Sequence, residues 1–560
     1  TFLYDTVLSL LDQYYHDFIF SVIVMKKSSN QMRSDVAKKI LEAFSNKHPK
    51  VYQEAELIRK SLLMAAVTWA EKVTQFISEA YDHYQRRRID RMIASLNAIV
   101  DLVKKPKCEM HRNFLHKYGN SISELEKTLN IFNPTIKSTM LQLTQWCKQM
   151  QDSLSEELKQ IRTIQLSSIS QELHNKTNFS IAVPGTYRPG RYVNHILYFV
   201  GQLSVYMSKQ QPKDVIVKGK DGNFYQYLLK GHEDLRLDDR IMHFFRLINS
   251  LIVSSSVFQQ NAIVTTCVIP LSVRHGLVKW LPGTETLRAI VEQQRELHNR
   301  DTMEEFDLID DYSNSQFDLM VPVQKMHVIK KVCEQVPDTD IANFFWLKAP
   351  DAESWLKQTI NFAISTGMTS IVGYIIGLGD RHPSNLLIDR NSGRVIHIDF
   401  GDCFERASRR SLLPEVVPFR LTRMMVRALG PTGTEGNFRT SFINMSQLLR
   451  ENKRVLVTIL SIFVHEPLID PDIAEELKVV KKAPKFLMPG MEPGKSFHPA
   501  ADAGIQSSVE MRKRVIQKLT GNDFQYVEKL TIEDQASLLV KTATDPYNFA
   551  RMYSGWCPFW

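Results

Sequence analysis

The residues best suited to chemistry lie in one stretch, Gly377-Leu378-Gly379-Asp380-Arg381-His382-Pro383-Ser384-Asn385, followed by Ile398-Asp399-Phe400-Gly401. Phosphoryl transfer needs a group that orients the attacking hydroxyl, oxygen ligands for Mg²⁺, and positive charge on the phosphates. Asp380 can be the orienting base. Asn385 lies five residues on and Asp399 fourteen beyond that, which is the spacing of a kinase catalytic loop and its metal ligand. Mg²⁺ is a hard cation that takes few protein ligands, and Asn385 and Asp399 supply the oxygens it prefers. A lone Asp-Phe-Gly is weak, because any strand end could carry it; the two motifs together are specific.

The phosphate charge must come from upstream. Lys230 closes the run Tyr227-Leu228-Leu229-Lys230, just before Gly231-His232-Glu233-Asp234-Leu235-Arg236-Leu237-Asp238. A lysine on a strand can reach ATP phosphates while a carboxylate on a nearby helix holds it in place. Lys220, in the turn Gly219-Lys220-Asp221-Gly222, could meet a phosphate directly, although that turn is not a Walker A sequence.

These residues need elements to position them. Val215–Val217 and Phe224–Leu229 flank the glycine-bearing turn and read as a hairpin. Leu386–Ile388 and Val395–Ile398 read as a second strand pair around Asp389–Gly393, and Ile263–Pro270 is a further β-branched run. Residues 1–175 read as helical throughout: proline and glycine are sparse, and Leu57, Leu62, Val67, Val73, Phe76, Ile77 and Tyr81 can share one helical stripe. Helix breaks are expected near Ser45–Pro49, Pro106, Tyr118–Ser121 and Pro134, as in a bundle or helical solenoid. Residues 471–506, rich in Pro, Gly, Lys and Ala, read as a mobile insert, and the chain finishes in a helix and a compact aromatic tail, Gly555-Trp556-Cys557-Pro558-Phe559-Trp560.

Composition sets the outer limits. The 560 residues are 43% hydrophobic and 23% charged, as in ordinary globular proteins, which excludes a disordered or collagenous chain. No apolar run reaches the ~18 residues of a spanning helix. Six scattered cysteines without a CxxC pair argue against a zinc or redox cluster and for a reducing, cytoplasmic setting, with peripheral attachment to endomembranes as an option. A net charge of +9 is mild over this length, and no nucleic-acid partner is expected from it. The chain starts at Thr1, with the first methionine at Met25, so it is expected to be a piece of something longer.

The order Asp380-Arg381-His382, the reverse of the common kinase triplet, resembles the phosphatidylinositol-3-kinase-like superfamily. Pro418-Phe419-Arg420-Leu421-Thr422-Arg423 resembles the end of the activation loop of its target-of-rapamycin kinases, the terminal Gly-Trp-Cys-Pro-Phe-Trp their FATC motif, and Glu56-Leu57-Ile58-Arg59 the entry to their rapamycin-binding (FRB) domain. The resemblance is close over about 182–469 and 515–560 and diffuse over 1–175.

It implies an α+β, bilobal kinase-like fold preceded by an all-α solenoid end and a helical bundle. The domains would be 1–55 (solenoid end), 56–155 (FRB-like), 156–280 (N-lobe with linker), 281–527 (C-lobe) and 528–560 (FATC). It implies that His382 helps stabilise the transferred phosphate, that Asp238 partners Lys230, and that Glu233 is a second candidate near the phosphates. Val278-Lys279-Trp280-Leu281-Pro282 resembles the family hinge, so Trp280 would stack on adenine and the Leu281 backbone would hydrogen-bond it. Leu228, Leu387 and Ile398 would form the apolar walls and Thr286 the rim.

The family also implies protein substrates, a scaffold subunit, a dimeric complex, and a WD-repeat propeller subunit bound to an insert at about 289–329, which by its own charge reads as solvated. Four departures stand out. Ser138–Trp146 lacks the family's tryptophan followed by paired tyrosines, which puts rapamycin–immunophilin binding in doubt. Thr266 stands where the family has an inner-pocket tyrosine, and Arg236-Leu237-Asp238 where it has Arg-Gln-Asp. Phe549–Met552 offers Cys557 no disulfide partner. A protein kinase is the leading expectation. A phosphoinositide kinase, for which Arg406, Arg409 and Arg410 would read the headgroup, and a non-catalytic pseudokinase scaffold are the alternatives. The aromatic tail is expected to pack on the protein rather than insert into a membrane.

Overall fold

The computed structural model describes residues 2–28, 30–131, 137–208, 210–255, 261–410, 414–465, 501–524 and 529–560. They form two compact units: residues 1–239 with 266–280, and residues 240–265 with 281–560.

The first unit opens with seven helices, α1 Phe2–Met25, α2 Gln31–Lys47, α3 Pro49–Ala66, α4 Trp69–Gln85, α5 Ile89–Val103, α6 Glu109–Asn130 and α7 Lys137–Gln160. Local chemistry sets several of the boundaries. Asn30 caps α2 by accepting from the Arg33 N–H at 3.2 Å, and Pro49 supplies the N1 position of α3. Between α3 and α4, Thr68 and Glu71 form a reciprocal capping box. The apolar stripe expected from Leu57 to Tyr81 is therefore split at Val67–Thr68. Leu62 and Val67 join one core and Val73 and Ile77 another, while Tyr81 is exposed.

The breaks expected at 45–49 and 106 are present. The one at Tyr118–Ser121 is not: α6 runs straight through Gly119, because Tyr118, Ile122 and Leu125 keep helical spacing on its buried face. The expected break at Pro134 lies outside the described residues.

Behind the helices is a seven-stranded sheet. Its strands are β1 Thr163–Gln165, β2 Ile196–Phe199, β3 Gln202–Val205, β4 Lys213–Gly219, β5 Phe224–Gly231, β6 Val268–Ser272 and β7 His275–Lys279. The order is β1-β3-β4-β5-β7-β6, with β2 also paired to β4. The β4–β5 hairpin closes on the expected turn, with Lys218 opposite Phe224. The β-branched run at Ile263–Pro270 becomes strand only from Val268; Ile263 instead exchanges 2.8 Å backbone bonds with the Asn249 side chain.

One core unites α1–α3 with the sheet, including Phe20, Phe44, Ile58 and Leu62 from the helices and Val215, Val217, Tyr227 and Leu229 from the strands. A second core, from Trp69 to Leu154, belongs to α4–α7 alone. Lys213 of β4 ties the two. It is 1% exposed, and its ammonium donates to the Ala66 carbonyl at 3.0 Å and meets the Glu71 carboxylate at 2.5 Å.

The second unit is mostly helical around a small antiparallel sheet of β8 Thr284–Thr286, β9 Leu386–Asp389 and β10 Val395–His397, in the order β10-β9-β8. Its central helix, Ala352–Ile375, starts on Asp351, whose carboxylate caps the Ser354 N–H at 2.7 Å. No helix among the described residues is long and apolar enough to cross a membrane. The mobile insert expected at 471–506 lies outside the described residues up to 500; residues 501–506 open the helix Ala501–Thr520.

Candidate active site

The chain enters the Asp380 loop through a helix stop. Gly377, at φ +59°, is the left-handed residue beyond the Ala352–Ile375 helix. Its N–H bonds the Tyr374 carbonyl at 3.0 Å, and the Leu378 N–H bonds the Gly373 carbonyl at 2.9 Å, a complete Schellman motif. Asp380 itself is at φ +57°, and Asp399 at φ +59°, a conformation that is costly for non-glycine residues and persists only where the surroundings enforce it.

Arg381 does much of that enforcing. It is 2% exposed, and its guanidinium donates to the carbonyls of Gly379 (2.8 Å), Ile398 (2.7 Å) and Asp399. One planar cation thus staples the Asp380 loop to the strand end that bears Asp399, while burial pulls its pKa down. The Asn385 side-chain N–H₂ donates to the Asp380 carbonyl at 2.8 Å, and the Asn385 carbonyl accepts from the Ile398 N–H at 3.1 Å. With its nitrogen so committed, the oxygen is the end of the buried Asn385 amide suited to a metal. Asp399 offers a carboxylate whose Oδ1 also receives the Gly401 N–H at 3.3 Å. An oxygen-only pair of this kind fits a hard divalent cation. Phe400 is buried and meets Phe245 edge-to-face at 5.6 Å, which anchors the motif from below.

His382 accepts the Ser384 N–H on Nδ1 at 3.2 Å, which leaves Nε2 as the N–H end; burial lowers its pKa. In β9, Leu386 and Ile388 are buried and Leu387 is half-exposed; Leu387 lies opposite Thr286 of β8, and Ile398 follows β10 two residues after Ile396. Thr286 also caps the helix Leu287–Leu297 through the Ala289 N–H at 3.1 Å. Leu281 is half-buried, and its carbonyl accepts the Thr284 hydroxyl at 2.8 Å.

In the first unit, strand alternation separates two faces. Tyr227, Leu229 and Gly231 turn into the core, and Leu228 and Lys230 lie on the other face with Gln226. The Lys230 ammonium is 2.9 Å from Glu233, so the residue read second from sequence is a direct ion partner. Asp238 sits in the first turn of the helix Arg236–Ser254. Trp280 is 38% exposed rather than core, stacked parallel on Tyr206 with centroids 5.9 Å apart. Thr266 donates its hydroxyl to the Lys279 carbonyl at 2.9 Å. Lys220 is exposed in its turn.

The segment after Asp399 is zipped to the Asp380 loop. Gly379 N–H bonds the Asp402 carbonyl (2.8 Å), Phe404 N–H the Ile376 carbonyl (2.7 Å), and Glu405 N–H the Gly377 carbonyl (2.9 Å). Arg406, Arg409 and Arg410, read as a headgroup set, are exposed but engaged with the Gly401 carbonyl, Glu405 and Asp402 respectively. Arg420 is 2% exposed and donates to the carbonyls of Trp556 (2.7 Å), Cys557 (2.7 Å) and Trp560 (2.9 Å); burial lowers its pKa to about 10.

The aromatic tail is packed into the protein: Trp556, Phe559 and Trp560 are at most 4% exposed, which removes the membrane-insertion reading. The insert is not wholly solvated either. Glu305 is fully buried, bound twice by Arg295 (2.5 and 2.6 Å) and once by the Trp560 indole N–H (3.0 Å). Sequence reading missed these supports. Arg381 stood inside a recognised motif, but the tail residues that Arg420 and Glu305 bind are more than a hundred residues away from them and leave no local signal.

Three family models match the chain: Phosphatidylinositol 3- and 4-kinase over 224–473, the FKBP12-rapamycin binding domain over 56–150, and the FATC domain over 529–560. Serine/threonine-protein kinase mTor of Drosophila melanogaster is 32% identical over 97% of this chain and 23% of its own length. Serine/threonine-protein kinase tor1 of Schizosaccharomyces pombe is 33% identical over 97% of this chain and 24% of its own. The chain belongs to the target-of-rapamycin family. It spans about a quarter of the length of these target-of-rapamycin relatives. Among solved structures, the open conformation of CtTel1 aligns with TM-score 0.61 at 20% identity, over all of this chain and 18% of that one, a likeness of fold. A target-of-rapamycin kinase domain generally works with ATP and a divalent metal, which agrees with the oxygen donors at Asn385 and Asp399.

Proposed function

We propose that the chain is the catalytic portion of a Ser/Thr protein kinase that moves the γ-phosphate of ATP to protein hydroxyls in growth signalling. The observation that carries this is the fixed set of Asp380, Asn385 and Asp399, held by Arg381 and by the Asn385–Asp380 bond. Asp380 orients the substrate hydroxyl and takes its proton. Asn385 and Asp399 would hold Mg²⁺, which when bound neutralises charge on the phosphates. Lys230, kept in place by Glu233, the Nε2–H of His382 and Lys220 are the groups assigned to phosphate oxygens. Trp280 and the Leu281 backbone hold the adenine, with Leu228, Leu387, Ile398 and Thr286 around it. Positioning and electrostatics supply most of the rate.

The test incubates the purified chain with labelled ATP and Mg²⁺, offering a Ser/Thr peptide or phosphoinositide vesicles. Label is expected in the peptide and absent in Asp380→Ala and Asp399→Ala variants that melt like the parent. Label in lipid alone would establish the phosphoinositide reading, and robust activity in either variant would remove the residue assignments.

The whole protein is proposed to act in a dimeric complex with a scaffold and a β-propeller subunit. Leu319 (84% exposed), Val321 and Val323 in the insert give the propeller an apolar surface. Leu319→Asp with Val323→Asp is a cleaner test than deletion, because deletion would also remove buried Arg295 and Glu305. The double variant is expected to lose propeller capture and keep basal activity.

A further inference from the structure

Glu415 lies in none of the motifs above, yet it touches the catalytic loop at its most consequential point. Its Oε1 accepts the backbone N–H of Asp380 at 2.8 Å. The other main-chain groups around Asp380 are fixed otherwise: the Gly379 N–H by Asp402, the Gly379 carbonyl by Arg381, the Asp380 carbonyl by Asn385, and the Arg381 carbonyl by Arg420. The Asp380 N–H is held by a side chain from the activation segment. Glu415 is itself anchored, since its N–H bonds the Ala407 carbonyl at 3.1 Å. Gly379 makes room for this arrangement: a β-carbon there would strike Ala407 and stand 3.3 Å from Glu415 Oε2.

We propose that Glu415 is a positioning residue for phosphoryl transfer, holding Asp380 in its left-handed conformation so that the Asp380 carboxylate faces the substrate hydroxyl. The inference rests on the kinase reading above. The backbone conformation of Asp380 fixes the direction of its side chain, and a left-handed aspartate left to itself relaxes to negative φ. The acceptor therefore links the order of the activation segment to the aim of the base. The groups facing the Glu415 carboxyl are Asp380, Arg410 and Arg381. Burial raises the carboxyl pKa to about 7, with the charge of Asp380 adding to it and the bond from the Asp380 N–H, Arg410 and Arg381 opposing it. A carbonyl oxygen remains as acceptor in both protonation states, so a glutamine of the same length should serve.

Two measurements on the purified chain test this. In the peptide assay, Glu415→Ala is expected to lower kcat by roughly 30–100-fold with KM for ATP within about threefold, as a displaced catalytic group does. Glu415→Gln should stay within about fivefold of the parent. Hydrogen exchange, which needs no activity, should show faster exchange in peptides covering Leu378–Ser384 for Glu415→Ala and parent-like exchange for Glu415→Gln. Unchanged exchange in Glu415→Ala, an unchanged kcat, or equal losses in the Ala and Gln variants with parent-like melting would each overturn the proposal. A parent that labels no peptide would sink the kinase reading, and the exchange result would still decide the role of Glu415.

Discussion

Lys230 and Glu233 show how far a single pair can be trusted. Both side chains are about one-fifth exposed, at 20% and 23%, so solvent weakens their attraction and the pair adds little to stability. Its value lies in aiming the ammonium. Glu233→Gln is therefore expected to leave the melting temperature within about 1 °C and to raise KM for ATP by roughly 3–10-fold. A melting curve and an ATP titration check both halves.

At this scale much was legible. The Asp380–Asn385–Asp399 spacing could be read because phosphoryl transfer demands those groups in that order. The environment of Glu305 could not, because Glu304, Glu305, Asp307, Asp310 and Asp311 look alike in sequence and only folding buries one of them.

Among the elements, the turn Cys403–Glu405 bears most on pH response. Glu405 is partly buried, which by itself would raise its pKa, but Lys518 and Arg514, each 2.9 Å away, bring it down from 4.5 to about 2. The sign follows from linkage. A carboxyl whose pKa is lower folded than unfolded stabilises fully above about 4.5 and loses that contribution as pH falls toward 2. Denaturant melts between pH 6 and pH 3 should show the parent losing stability more steeply than Glu405→Gln.

Gly377 belongs to the same junction. It is left-handed, and a β-carbon there would stand 2.6 Å from the Glu405 nitrogen. Gly377→Ala should cost about 2–4 kcal/mol in the second unit, measured by chemical denaturation. Helices and strands were readable where apolar spacing or a turn glycine marked them. Gly119 misled because Tyr118, Ile122 and Leu125 outweigh one flexible residue, and Ile263–Val264 because β-branching alone does not supply a strand neighbour.

Across the whole molecule, the chain's last residues act as an internal brace. Trp560 is fully buried, its indole N–H on Glu305 and the Arg295 guanidinium 5.1 Å from its ring. Trp560→Ala opens a cavity and takes one hydrogen bond from buried Glu305, which keeps its pair with Arg295, and is expected to cost about 3–5 kcal/mol. Removing Gly555–Trp560 also takes from Arg420 three of the four carbonyls it binds, so peptide phosphorylation should disappear in buffer free of lipid and detergent. Activity that survives this deletion would show the brace to be dispensable.

The core shared by α1–α3 and the sheet has a practical consequence for anyone cutting this protein into pieces. A fragment starting at the sheet would carry Val217, Tyr227 and Leu229 with their helical cover gone, and a fragment starting at α4 would keep the Glu71 clamp but lose the Ala66 carbonyl. The smallest soluble expression product that retains the Lys230 strand should therefore begin ahead of α1, however neatly a motif search draws the border of the catalytic region.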